Sequence, residues 1–198
     1  SVDAIQSVGV VPTDVIASGV DFMAVGGHKW MMSPLGTGFL YVTEELQSRL
    51  KLVHRGYMGH VNPIDFGNFD QELSPNAQRF ELGAFNASGM VGAEKATELL
   101  LECGIDSIFR HVRKLIGQFE WGLDELPFKT MYQFEENEQS SICMFSHNDA
   151  SRNEAIFQSL SASGVNISLR GGGLRLAPHY YNTSDEVDQI LALLKGSS

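Results

Sequence analysis

The chain has 198 residues, 43% of them hydrophobic, and a formal net charge of −10. Its fourteen Lys and Arg residues are scattered, with no basic run, which argues against binding to nucleic acid or to an anionic membrane surface. No apolar stretch approaches the roughly 18 residues of a membrane span, and the first residues lack the charged-then-apolar order of a signal peptide, so a cytoplasmic location is expected.

In chain order, Ser1-Val2-Asp3-Ala4-Ile5-Gln6 reads as a strand already under way, with no initiator Met, which suggests a piece of something longer. A short helix is expected from Pro12-Thr13-Asp14. The run Val20-Asp21-Phe22-Met23-Ala24-Val25 then predicts a buried strand that ends in Gly26-Gly27-His28-Lys29. Ser33-Pro34-Leu35-Gly36-Thr37-Gly38 leads to a further strand, Phe39-Leu40-Tyr41-Val42, and Glu44 to Leu50 to a short helix. Residues 51–78 are irregular and rich in Gly, Asn and Pro, and a loop of that length in a compact domain is usually functional or disordered.

The second half begins with a helical pattern from Asn86 through Leu101, stopped by Gly104. A helix over 106–126 puts Ile108, Val112, Leu115, Ile116 and Phe119 on one face. Strands are expected near 128–134, 140–146, 165–170 and 173–177, a helix over 151–163, and a last helix over 184–195 announced by Thr183-Ser184-Asp185-Glu186. The alternation predicts an α/β chain divided into residues 1–100 and a small α+β domain over 101–198. Cys103 and Cys143 sit in apolar surroundings far apart in sequence and read as buried free thiols.

Lys29 draws the chemical argument. Taken alone it is a surface lysine in a hairpin loop; at the mouth of a sheet, a desolvated lysine loses its proton and becomes a Schiff-base amine. If the strand carrying Asp3 and Gln6 is the parallel neighbour of the strand leading to His28 and Lys29, all four residues open on one crevice. Pyridoxal phosphate needs such a set: a lysine, an acid to keep the pyridine nitrogen protonated, and donors for the ring oxygen and phosphate. A carboxylate about 4 Å from the pyridinium is worth on the order of 4 kcal/mol at an effective dielectric near 20, about three pKa units.

The series Asp-x-x-Gln-Ser-x-Gly, Val-Asp-Phe, Gly-His-Lys, Pro-x-Gly-x-Gly and Leu-Arg-Leu-Ala-Pro-His-Tyr-Tyr-Asn-Thr, running from residue 1 to about 195, resembles the class V aminotransferase family of fold-type I pyridoxal phosphate enzymes. Cysteine desulfurases, selenocysteine lyases and isopenicillin epimerase-like proteins belong to that family. The resemblance implies the C-terminal part of the pyridoxal phosphate-dependent transferase fold: the remainder of a large mixed-sheet domain to about residue 100, then a small α+β domain. It implies Lys29 as the aldimine lysine, Asp3 as the pyridinium partner, Gln6 as the donor to the ring oxygen and His28 as a phosphate neighbour. Arg175 matches the arginine that holds a substrate carboxylate, and Arg170 is a second candidate for that pocket. Without the resemblance Arg175 reads chiefly as half of a structural ion pair at a strand end. Partners implied are an amino acid, a 2-oxo acid, a second copy of the chain in a homodimer, and the missing N-terminal half of the enzyme.

Several positions depart from the family pattern. The selenocysteine-lyase-like branch carries its nucleophilic thiol on a loop between two late strands, where this chain has only Gly171-Gly172-Gly173, read as a tight strand connection in preference to a phosphate cradle. Gly26 stands where many relatives have a hydroxyl residue, and Ala84 where many have the threonine that reaches the partner subunit's phosphate. The sequence therefore predicts transamination through Lys29, with a lyase lacking a catalytic cysteine, or a non-catalytic interaction module, as alternatives. A metal site built from His54 and His60 lacks a third ligand at regular spacing, and no metal is expected.

Overall fold

A computed structural model describes residues 1–132 and 138–196, which form two compact units, Ser1–Cys103 and Gly104–Ser198. In the first, β1 (Val2–Asp3), β2 (Phe22–Gly26) and β3 (Gly38–Val42) form one mixed sheet in that order. β1 runs parallel to β2, with Asp3 opposite Ala24, and β3 runs antiparallel to β2, with Gly26 opposite Gly38. Burial alternates along β2, Met23 and Val25 inside and Ala24 exposed, so the strand expected to be buried is covered on one face only. Val8, Val15, Val20, Met31 and Tyr41 supply that cover around Ala4, Met23 and Val25.

The expected first strand is shorter than its apolar run. The Asp3 carboxylate accepts the Ile5 N–H, and the amides of Ser7 and Val8 donate to the Ala4 carbonyl. This local bonding bends the chain into a turn directly after Asp3, so Gln6 lies on a turn and not on the strand. The helix expected from residue 12 is likewise a turn: Asp14 accepts the amides of Ile16 and Ala17, and Gly19 ends it with φ +61.

After α1 (Glu44–Arg49), capped by Thr43, residues 51–85 are irregular, with short 3-10 turns at Tyr57–Gly59 and Ala77–Phe80 joined by the hydrogen bond from Gln78 Nε2 to the Met58 carbonyl. Many of its apolar side chains stand in solvent, among them Val53, Ile64, Phe66, Phe69 and Phe85. Helix α2 (Ala87–Cys103) starts at Asn86, whose side chain accepts the Gly89 N–H and donates to the Leu35 carbonyl. Of its residues only Gly89 and Leu100 are buried, which is why Cys103, expected inside, is exposed.

In the second unit, α3 (Ile105–Leu123), α4 (Asn153–Ala162) and α5 (Ser184–Gly196) accompany an antiparallel sheet of β4 (Phe128–Thr130), β5 (Cys143–His147), β7 (Gly173–Leu176) and β6 (Ser168–Arg170), in that order. The stripe read from the sequence on α3 is the core: Ile108, Val112, Leu115, Ile116 and Phe119 are all buried. The Phe119 ring meets Phe145 of β5 edge-on at 4.9 Å. Helix α5 opens with a capping box: the Glu186 carboxylate accepts the Thr183 N–H and the Thr183 hydroxyl accepts the Glu186 N–H. Residues 133–134 of the strand expected over 128–134 lie outside the described residues; within them β4 spans Phe128–Thr130. Among the described residues no helix is long and apolar enough to cross a membrane.

Candidate active site

The parallel pairing of β1 and β2 sends both strands out of the sheet in the same direction. Asp3 therefore stands at the end of β1 and His28-Lys29 just beyond the end of β2, on one sheet edge. Asp3 and Gly26 line the same depression of about 490 Å³, together with Ile5, Ala24 and Phe39. The His28 ring lies beside Gly26, its Cε1 3.4 Å from where a Cβ at that glycine would stand. Gln6 is tied to the residue after Lys29, since the Trp30 indole Nε1–H donates to Gln6 Oε1 at 3.2 Å. The first unit thus sets Asp3 and Gln6 after the end of β1 and His28 and Lys29 after the end of β2, on one sheet edge.

Their polar atoms are available. Asp3 uses one carboxylate oxygen on the Ile5 amide, and its other oxygen is uncommitted among the described residues. Gln6 spends its carbonyl on Trp30 and keeps its Nε2 group. His28 and Lys29 are exposed, so the described residues provide no apolar cover for the lysine amine.

Two residues that sequence reading passed over hold this arrangement. Trp30 is 4% exposed and spans twenty-four positions to reach Gln6. Gly9 has φ +100, and a Cβ there would stand 2.7 Å from the backbone carbon and oxygen of Trp30. The turn carrying Gln6 lies directly on the backbone of the Lys29 loop, and only glycine fits. Gly9 was present in the motif Asp-x-x-Gln-Ser-x-Gly, but its contact with Trp30 left no local signal. Met32, in the same loop, has φ 53, a left-handed conformation unusual for a side-chain-bearing residue.

In the second unit, Arg175 on β7 faces Ser168 of β6 and Met144 of β5, and Arg170, paired with Gly173, projects from the same face of the β6–β7 ladder. Leu174 and Leu176 take the opposite, buried face. Arg175 Nε is buried with no hydrogen-bond partner, and no ion pair forms at Arg175 among the described residues. The structural ion pair that competed with the binding reading is therefore not formed within them. An unpartnered, half-buried guanidinium is a planar fork matched to a carboxylate.

Compared with known sequence families, the chain matches the one described as aminotransferase class-V over residues 1–190. The chain belongs to the class V aminotransferase family. Among its class V relatives are a probable cysteine desulfurase of Methanothermobacter thermautotrophicus, 28% identical over 96% of this chain and 50% of that protein, and the uncharacterized aminotransferase YcbU of Bacillus subtilis, 30% identical over 96% and 50%. The fold matches that of the cysteine desulfurase from Thermococcus onnurineus NA1 with a TM-score of 0.86 at 24% identity, over 98% of this chain and 51% of that one. The cystine C-S lyase C-DES matches with a TM-score of 0.85 at 22% identity, over 96% and 50%. The two units thus have the pyridoxal phosphate-dependent transferase fold in part, and the chain spans about half the length of the class V relatives it matches.

The class V departures have structural counterparts. At Gly26 a Cβ would stand 2.9 Å from Ile5 Cδ1, so the Ile5 side chain fills the space a hydroxyl-bearing residue would take. Ala84 is exposed and offers no donor. Gly171 and Gly172 form a two-residue hairpin turn with φ +56 and +79, which leaves no loop between β6 and β7. Cys143 faces the buried side of β5, where burial above all, with the Glu120 carboxylate adding to it, pushes its thiol up to about 12. A thiol held protonated is a poor nucleophile.

Proposed function

We propose that this chain carries the lysine-bearing part of a pyridoxal phosphate enzyme that acts on an α-amino acid, with transamination to a 2-oxo acid as its reaction. The observation that supports the reading is that Asp3 and Gln6, after the end of β1, share one sheet edge with His28 and Lys29, after the end of β2, with one Asp3 carboxylate oxygen and the Gln6 Nε2 group uncommitted among the described residues. Pyridoxal phosphate, when bound, supplies an aldehyde that captures amines and a ring that accepts the electrons released at the substrate Cα.

The remaining roles belong to the chain. Lys29 Nζ is the amine that holds the cofactor's aldehyde and, once displaced by substrate, the base that takes the Cα proton. Asp3 would keep a proton on the ring nitrogen, Gln6 Nε2 would donate to the ring oxygen, and His28 would serve the phosphate. Arg175 holds the substrate carboxylate bidentately, with Arg170 adding positive charge on the same strand ladder face. Losing hydroxyl donors at Gly26 and Ala84, each worth about 1.5–3 kcal/mol to a charged group, weakens cofactor retention. A second copy of the chain is the proposed partner, on the strength of the exposed apolar side chains of residues 51–85.

A second reading, a C–S lyase working through Lys29 without a thiol, is favoured by relatives named as probable cysteine desulfurases. The hairpin at Gly171-Gly172 and the protonated Cys143 weigh against a thiol mechanism and leave a lysine-only lyase open. One experiment separates them. With pyridoxal phosphate, the protein is expected to develop a visible absorption band that Lys29→Ala abolishes, and to move the amino group of a donor amino acid to a 2-oxo acid. Release of sulfide from cysteine, or of cysteine persulfide from cystine, that needs no 2-oxo acid selects the lyase; a band that survives Lys29→Ala removes both.

A further inference from the structure

We propose that Trp30 is a positioning residue for the cofactor: its indole N–H fixes the Gln6 side-chain amide so that Nε2 is the arm left to serve the ring oxygen. The proposal rests on the pyridoxal phosphate reading above. Indole Nε1–H only donates, so the atom of Gln6 that it meets at 3.2 Å must be the carbonyl oxygen. A flipped amide would set N–H against N–H at a residue that is 4% exposed, where water cannot readily replace the lost acceptor.

The two partners are also held in place from outside the bond. Gln6 rides on the helical turn formed when Ser7 and Val8 donate to the Ala4 carbonyl, and Gly9 seats that turn on the Trp30 backbone without room for a Cβ. A half-buried glutamine on a turn would otherwise be free to present either its carbonyl or its amide to a ligand. Because Trp30 follows Lys29 directly, the same bond ties the lysine's loop to the proposed ring-oxygen donor.

Two measurements test this, one of them independent of cofactor. In the cofactor-free protein, the Trp30 indole N–H is expected to exchange slowly with solvent by NMR, unlike that of Trp121, which is 76% exposed, and Gln6→Leu is expected to shift the first and not the second. In the pyridoxal phosphate-loaded protein, a donor to the ring oxygen offsets the negative charge that helps retain the proton titrating with the visible band. Trp30→Phe is therefore expected to raise the pH midpoint of that band by about one unit, the effect of losing one hydrogen bond to a charged group. Gln6→Leu is expected to raise it similarly, and the double variant no further than Gln6→Leu alone, because Trp30 acts through Gln6.

An indole N–H at position 30 that exchanges as fast as that of Trp121 overturns the inference. So does an unchanged midpoint in Trp30→Phe, or shifts that add in the double variant. If Trp30→Phe does not fold, benzothienylalanine at position 30, which keeps the ring shape and lacks the N–H, is expected to give the same shift. A parent protein that develops no band overturns the cofactor reading and this inference together; a band with an unmoved midpoint overturns this inference alone.

Discussion

Arg175 and Cys143 lie on adjacent strands of the second sheet and on its opposite faces. The guanidinium that read chiefly as an ion pair has a buried Nε with no hydrogen-bond partner among the described residues, so its removal should cost the fold little and the proposed substrate site much. Arg175→Lys keeps the charge but loses the fork, and is expected to raise KM for the amino acid about 10- to 100-fold with a smaller change in kcat and an unchanged melting temperature. The buried thiol of Cys143 was legible from its apolar strand, whereas Cys103 misled, because apolar neighbours on α2 are themselves exposed. Thiol reagents should therefore label Cys103 in the folded protein and Cys143 only on unfolding. Cys143 also sets an alkaline limit. Between its ordinary value of 9.0 and about 12 the folded chain keeps the proton that the unfolded chain releases. Stability is therefore full below pH 9.0 and falls as pH rises, by about 1.4 kcal/mol per unit, and denaturation of Cys143→Val in that window should lack this component.

Among the elements, those whose pattern is set by their own side chains were legible and those set by distant contacts were not. The stripe on α3 and the start of α5 follow from helical period and a capping box, both local. The true end of β1 was hidden, because an apolar run predicts a strand while the Asp3 carboxylate and the Ala4 carbonyl bend it. The site was half legible for the same reason: its residue types stand in the sequence, but the turn bearing Gln6 is secured by Gly9 and Trp30 across a long separation. Gly9→Ala tests that element as a whole. It meets backbone at 2.7 Å and an unfavourable φ, and is expected to cost about 3 kcal/mol by chemical denaturation. It should weaken pyridoxal phosphate binding as well, since the turn and the Lys29 loop must part.

At the scale of the whole molecule, hydrophobic burial is uneven. Among the described residues seven buried hydrophobic side chains belong to Ser1–Cys103 and fifteen to Gly104–Ser198. Backbone amides of α3, β5 and β7 are therefore expected to exchange with solvent last, and those of β1 to β3 markedly earlier, in hydrogen-exchange mass spectrometry. The apolar side chains standing in solvent over residues 51–85 have a further consequence, for colloidal behaviour. A net charge of −10 weakens association between copies of the chain most when ionic strength is low. Screening shortens that repulsion from about 10 Å at 0.1 M salt to about 3 Å at 1 M, yet leaves the attraction between Phe66, Phe69 and their counterparts intact. Association of the folded chain is therefore expected to strengthen as salt is added.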